Sequence, residues 1–371
     1  MPNSLQIALQ NNTDSNQVFV YITGLALQFG GQRCFVKANG SGLYFPQNPP
    51  AILSPLTEDC AISLGSPGDV VHIEIPQMAG GRIWVSRDSK LTFFLNPGPA
   101  LVEPSVLNPS DPNVGVDFGF CEFTLNNDQL YANISYVDFV PRIPIAINLK
   151  TLSGSEQNVA GMAADGLDQL AGKLRLQAQK DGWPWDKLVA SYNGKPLRIL
   201  NATHGAGVGA MFAGYFEPYV EEVWARLRND PQLLINTQAA AGILPASVKT
   251  DKLLVGDEIF AKPSTADIFG CNSGPFTTGP SPTRNAIIPR LSAAFVRTAL
   301  LESDEHPSAP STFYLRDPTN HYARLVHECN LDGKGYAFAY DDVQPDGGAD
   351  QSGKVNAGDP VLFTVTIGGP R

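Results

Sequence analysis

Two carboxylates set among β-forming residues are the part of this sequence best placed to do chemistry. Glu122 lies in the run Phe118-Gly-Phe-Cys-Glu-Phe-Thr-Leu-Asn126, and Asp138 lies near the end of the run Gln129-Leu-Tyr-Ala-Asn-Ile-Ser-Tyr-Val-Asp-Phe-Val140 that follows a polar turn. Such a pair can supply a general acid, which gives a proton to a leaving group, and a general base, which takes one from water. Side chains alternate between the faces of a strand, so Thr124 and Asn126 share the face of Glu122 and form a polar row suited to a sugar. Tyr131 follows the turn at Asn127-Asp128 and offers a ring for stacking on a pyranose face. From residue types alone the plainer reading stands ahead of catalysis: a carboxylate on a solvated strand face or in a structural hydrogen-bond pair.

The elements that must position the pair raise a difficulty. A two-residue hairpin joining Asn126 to Gln129 sets Glu122 opposite Asn133 and leaves Asp138 five residues further along. At about 3.3 Å per residue that is roughly 17 Å away and on the wrong face. Either a longer turn with a bulge and strong twist brings Asp138 round, or the strands are not a simple hairpin.

The segment from Glu122-Phe-Thr-Leu-Asn126 through Tyr131-Ala-Asn-Ile-Ser-Tyr-Val-Asp138 resembles the catalytic segment of glycoside hydrolase family 64, thaumatin-like β-1,3-glucanases that cut laminaripentaose from glucan. Gly81-Arg-Ile-Trp84 resembles the Gly-Arg-aromatic-Trp signature of thaumatin-like folds, with Ile83 departing from the aromatic. Gly335-Tyr-Ala-Phe-Ala-Tyr-Asp-Asp-Val343 is similar to the end of such a domain. The resemblance implies an inverting, endo-type hydrolysis with Glu122 as general acid and Asp138 as general base, and a sugar chain held by Thr124, Asn126 and Tyr131. It also implies a wide groove between two lobes. The rival within the same fold is a non-catalytic glucan-binding protein.

Composition sets the frame. The chain has 371 residues, more than one core usually supports, so two lobes are expected. With 35 Gly, 30 Pro and 17% charged residues it reads as turns and short strands. A formal charge of −10 argues against nucleic acid, whose phosphates need a basic partner. No run of 18 or more apolar residues is long enough to span a membrane as a helix. Met1-Pro-Asn-Ser leads directly into an apparent first strand at Leu5–Leu9, as in a mature secreted domain whose leader is gone, and four Asn-x-Ser/Thr triplets, at Asn11, Asn39, Asn133 and Asn201, lean the same way. A monomer acting outside the cell on β-1,3-glucan, with no metal and no cofactor, is the expectation. Five cysteines leave at least one unpaired: Cys121 reads as a buried free thiol behind Glu122, and two disulfides are open to Cys34, Cys60, Cys271 and Cys329.

The expected fold is mainly β, a thaumatin-like sandwich or barrel from residues 1–150 and 330–371, with an inserted mixed α/β lobe at 151–329. Strands are expected at Val18–Ile22, Val70–Ile75, Arg82–Ser86, Leu91–Leu95 and Val361–Ile367, and again over Tyr336–Val343. Helical spacing marks Val159–Lys180, Pro218–Arg228, Arg284–Leu301 with a Pro at 289, and Tyr322–Cys329, with strands at Asp251–Val255 and Glu258–Phe260 between them. The stretches His204–Gly209 and Phe269–Gly274 read as flexible loops beside the cleft, since neither completes a nucleophile or phosphate-loop motif. His321 and His327 lack the partners of a zinc set.

Overall fold

The computed structural model describes residues 3–370. Two sheets dominate. In the larger, antiparallel strands run in the order Lys354–Ala357, Leu130–Ile134, Asp117–Leu125, Met78–Arg87, Val18–Ala26, Gln32–Val36, Leu43–Tyr44, with Ile62–Ser63 added to Val18–Ala26. The facing sheet orders Glu156–Val159, Ile145–Thr151, Pro360–Ile367, Ser4–Asn11 and Val70–Pro76. Alternation explains the pairing. Ile7, Leu9, Ile147, Val365 and Ile367 from one sheet meet Ile22, Ile83, Cys121, Phe123 and Leu125 from the other in one buried cluster.

Val18–Ala26 is buried on both faces, because the back of the larger sheet carries a second, aromatic cluster. Tyr21, Phe35, Trp84, Phe93, Phe118, Phe120 and Phe139 meet there, with ring centroids 4.9–6.4 Å apart. This cluster covers only part of that face. Along Asp117–Leu125 it ends at Phe120, and the next two residues on the same side, Glu122 and Thr124, stay partly exposed.

Residues 160–353 hold five helices: α1 (Gly166–Asp181), α2 (Glu217–Asn229), α3 (Thr265–Gly270), α4 (Pro282–Val296, with Pro289 inside it) and α5 (His321–Cys329). They accompany a small sheet of Glu258–Phe260, Lys252–Val255, Ile243–Lys249, Leu233–Asn236 and Glu305–His306. Helix α1 starts later than its spacing suggested. Val159 ends a strand paired with Ile147, and Gly161 then takes φ +66° so close to the Ile145 carbonyl that a Cβ would lie 2.1 Å from its oxygen. No helix passes such a turn. Helix α4 stops at Val296, before the expected Leu301, as Thr298 turns to φ +50°.

Three further expectations are corrected. Tyr336–Val343 is not a strand; it forms turns apart from one bridge between Tyr336 and Ser135, because its groups are committed to buried side-chain partners. Phe269–Gly274 is not a loop throughout: Ser264 and Asp267 form a reciprocal capping box that starts α3. All five cysteines are free and buried, so no disulfide forms. Asn11, Asn133 and Asn201 are also buried, which leaves Asn39 as the exposed member of the four sequons.

Candidate active site

Glu122 is placed by register. Asp117–Leu125 lies between Met78–Arg87, where Arg82 is its partner, and Leu130–Ile134, where Asn133 is its partner. The hairpin is the short one: the Asn126 amide donates to the Gln129 carbonyl at 3.0 Å, and Thr124 faces Tyr131. The side-chain oxygen of Asn126 accepts from the amides of Asp128 and Gln129 at 2.9 and 3.0 Å, so it closes the turn at the end of the polar row.

The strand that should carry Asp138 ends at Ile134. Ser135 bridges to Tyr336, and Phe139–Pro141 joins a different three-stranded sheet against Lys195–Leu200. The chain therefore leaves the hairpin after Ile134, and the turn itself is not lengthened. The Asp138 carbonyl accepts from the amide of Asn201 at 3.0 Å, and its carboxyl Oδ1 is 3.3 Å from Nε2 of His204. Bonding to His204 holds that carboxyl below the ordinary carboxylate value, against the opposing effect of burial, with the charges of His204 and Arg82 acting in the same direction.

Arg82 joins the parts. Its Nε is 3.1 Å from Glu122 Oε1 and its Nη1 is 2.6 Å from Glu103 Oε2, while the guanidinium rests 4.7 Å from the Phe120 ring centre and 5.4 Å from that of Trp84. Glu122, Glu103, Arg82, Thr124, Tyr131 and Asn133 line one pocket of about 390 Å³. Asp138 is not part of that lining, and Arg82 acts on its carboxyl only through its charge. Two carboxylates and a guanidinium thus form one set at the pocket, and the Asp138–His204 pair stands outside its lining. The set can hold neutral hydroxyls by charge-assisted bonds and can both give and take a proton.

The model for the β-1,3-glucanases of glycoside hydrolase family 64 matches residues 3–367. The chain belongs to that family. It is 30% identical over 311 residues to a glucan endo-1,3-β-glucosidase of Cellulosimicrobium cellulans, covering 80% of this chain and 53% of that one, so it spans about half the length of the curated relatives it matches. Among solved structures it is similar to a laminaripentaose-producing β-1,3-glucanase in complex with laminaritetraose, at TM-score 0.87 and 29% identity over 99% of both chains. A β-1,3-glucanase domain from Clostridium beijerinckii shares the fold at TM-score 0.76 and 23% identity, over 98% of both chains.

For this family 64 chain, residue types alone assigned no role to Arg82, Glu103 or Asn133, and they read His204–Gly209 as a flexible loop beside the cleft, which the 3-10 helix there corrects. Arg82 and Asn133 were open to discovery, since the short hairpin and one more strand place them beside Glu122. His204 was not. It sits in a 3-10 turn, Ala202–Val208, capped by Asn201, whose side-chain amide donates to the Ala337 carbonyl at 2.8 Å. Only packing brings that turn to Asp138.

Proposed function

We propose that this chain hydrolyses β-1,3-glucan by an inverting single displacement, with Glu122 as general acid and Asp138 as general base. The observation that carries the reading is the arrangement around Arg82: Glu122 on the floor of an open polar pocket, and Asp138 held as a carboxylate by His204 within the field of the same guanidinium. In this reading Glu122, on the pocket wall, gives the proton to the leaving oxygen, and the half-buried Asp138 carboxylate beside His204 takes one from water. Inversion requires the two carboxyls to stand roughly 6.5–9.5 Å apart, with water between the base and the anomeric carbon.

Thr124, Asn126 and Tyr131 contact the sugar chain in this proposal. Thr124 and Tyr131 are cross-strand partners at the pocket wall, and Asn126 ends the same strand face. The groove runs between a β-lobe of residues 1–150 and 330–371, of thaumatin-like type, and the insert at 151–329. An open groove admits a polymer in mid-chain, as endo cleavage to laminari-oligosaccharides such as laminaripentaose requires. Because that polymer stays outside cells, the protein acts there, as a monomer.

The test is incubation with laminarin or curdlan. Wild type releases laminari-oligosaccharides whose new reducing ends appear first as the α-anomer in proton NMR. Glu122→Gln and Asp138→Asn each lower the rate by about 10²- to 10⁴-fold while glucan binding persists. Early β-anomer contradicts inversion, and glucan binding without any release by wild type favours the binding-protein reading.

A further inference from the structure

Two arginines on one strand hold their acidic partners in different ways. Arg82 and Arg87 both lie on Met78–Arg87, and each faces a carboxylate across the ladder, Glu122 opposite Arg82 and Asp117 opposite Arg87. Arg87 turns one whole edge of its guanidinium on its partner. Its Nε and Nη2 donate to Asp117 Oδ2 at 3.0 and 2.8 Å, and its Nη1 makes a longer bond, 3.3 Å, to the exposed Asp14. Arg82 gives Glu122 only Nε, at 3.1 Å, while its Nη1 makes the shorter bond, 2.6 Å, to Glu103. Among the described residues neither Arg82 Nη2 nor Glu122 Oε2 has a hydrogen-bond partner.

The two grips differ in what holds the far side of the guanidinium. A guanidinium presents Nε and Nη2 on one edge, a fork that matches the two oxygens of a carboxylate. The Glu103 bond on Nη1 draws Arg82 away from that fork, and the rings of Phe120 and Trp84, 4.7 and 5.4 Å from its central carbon, hold it in that pose.

Both ends of the Glu103–Arg82 link stand on one support. Glu103 directly follows strand Ala100–Val102, which pairs with Phe94–Asn96. Leu101 and Phe93 pack on the aromatic cluster that contains Trp84, with the Phe93 and Trp84 ring centres 5.8 Å apart. The reach from Glu103 to Arg82 is therefore set by a packed core and not by two free surface side chains.

We propose that Glu103 is a positioning residue for the hydrolysis: it holds Arg82 in a one-bond grip on Glu122 and so keeps Glu122 Oε2 free to meet the glycosidic oxygen. The role rests on the reading of Glu122 as general acid given above, and deepens it. An Arg82 closed on both oxygens leaves the acid none to present, although fold and pocket stay as they are. Glutamine at position 103 keeps an oxygen that can accept from Nη1, and alanine does not.

The test measures kcat and KM separately on laminari-oligosaccharides for wild type, Glu103→Ala and Glu103→Gln, with folding checked by circular dichroism, and adds crystal structures of wild type and Glu103→Ala. In Glu103→Ala kcat falls about 10²-fold, the loss that a misplacement of about 1 Å brings, and KM changes little. Glu103→Gln recovers most of that loss. In the crystal structure of Glu103→Ala, Nε and Nη2 of Arg82 both meet Glu122. Wild-type kcat in Glu103→Ala overturns the proposal. So does a rise in KM alone, which makes Glu103 a plain sugar contact, or a Gln variant no better than the Ala variant, which makes its charge and not its bond the useful property. Failure of wild type to hydrolyse any β-1,3-glucan defeats the reading of Glu122 instead; the grip is then decided by the two crystal structures, and an Arg82 that keeps its single bond to Glu122 without Glu103 overturns it.

Discussion

Asp341→Asn tests whether the closing segment is held by a buried ion pair. Asp341 is fully buried, Arg297 is 3% exposed, and Arg297 Nη2 lies 3.0 Å from Asp341 Oδ1. The other carboxylate oxygen, Oδ2, is 3.0 Å from His327 Nε2 and accepts from the Ala337 amide at 2.9 Å. One side chain therefore ties the C-terminal end of α4 and helix α5 to segment 337–343. Asparagine keeps the size but puts an N–H₂ where an acceptor stood and leaves the guanidinium without its counter-charge. Breaking a buried pair from one side costs about 3–5 kcal/mol, a large part of a typical total of about 5–15 kcal/mol. Urea unfolding followed by fluorescence should show the midpoint fall by that equivalent with the slope unchanged. Burial acts to raise the Asp341 carboxyl, yet His327, Arg297 and the Ala337 amide outweigh it and hold it below its ordinary value. A depressed carboxyl contributes stability above the unfolded value of about 3.9, and that stability is lost as pH falls through the folded one. Wild type should accordingly lose more stability than the variant over this acid range. A cost below about 1 kcal/mol at neutral pH would refute the reasoning.

His204→Ala removes the bond that depresses the Asp138 carboxyl, so the acid limb of the rate profile on laminarin should move to higher pH; a profile displaced only in height would separate His204 from the base. Gly81→Ala would place a Cβ 2.5 Å from the buried Phe123 ring beneath the pocket, and should cost about 1–3 kcal/mol in denaturant together with activity, while wild-type stability with unaltered turnover contradicts the packing argument. Burial pushes the Cys34 thiol up to about 11 and those of Cys60 and Cys271 up to about 12, so a thiol reagent should find none in the native protein and five after denaturation; fewer than five would reveal a disulfide.

Much of the site was legible because it lies within one hairpin. Alternation from Phe118 to Leu125 and from Leu130 to Ile134 fixes which face Glu122 and Thr124 share, since a slip of one residue would bury the polar row and expose Cys121, Phe123 and Leu125. The Asn127-Asp128 turn then sets Glu122 opposite Asn133 and Thr124 opposite Tyr131, a register that the spacing of Asp138 left open in the sequence. Helical spacing likewise marked α2, α4 and α5 to within a few residues, except at the C-terminal end of α4.

Other features depend on contacts that no local pattern encodes. Tyr336–Val343 has strand-like residue types but becomes a run of turns, because the groups of Asp341, Val343 and Ala337 find partners in Arg297 and Asp341 itself, not in a ladder. Asp138 is the clearest case. Its sequence neighbours argue for a continued strand and a position far from Glu122, whereas the partners that decide its place are Asn201 and His204, more than sixty positions away, in a turn capped by Asn201 and tied to Ala337. The face that each strand side chain takes follows from short-range alternation and was readable from the residues alone. The pairing of Asp138 with His204, and of Arg82 with Glu103, follows from which distant parts of the chain pack together, and only the folded chain settles that.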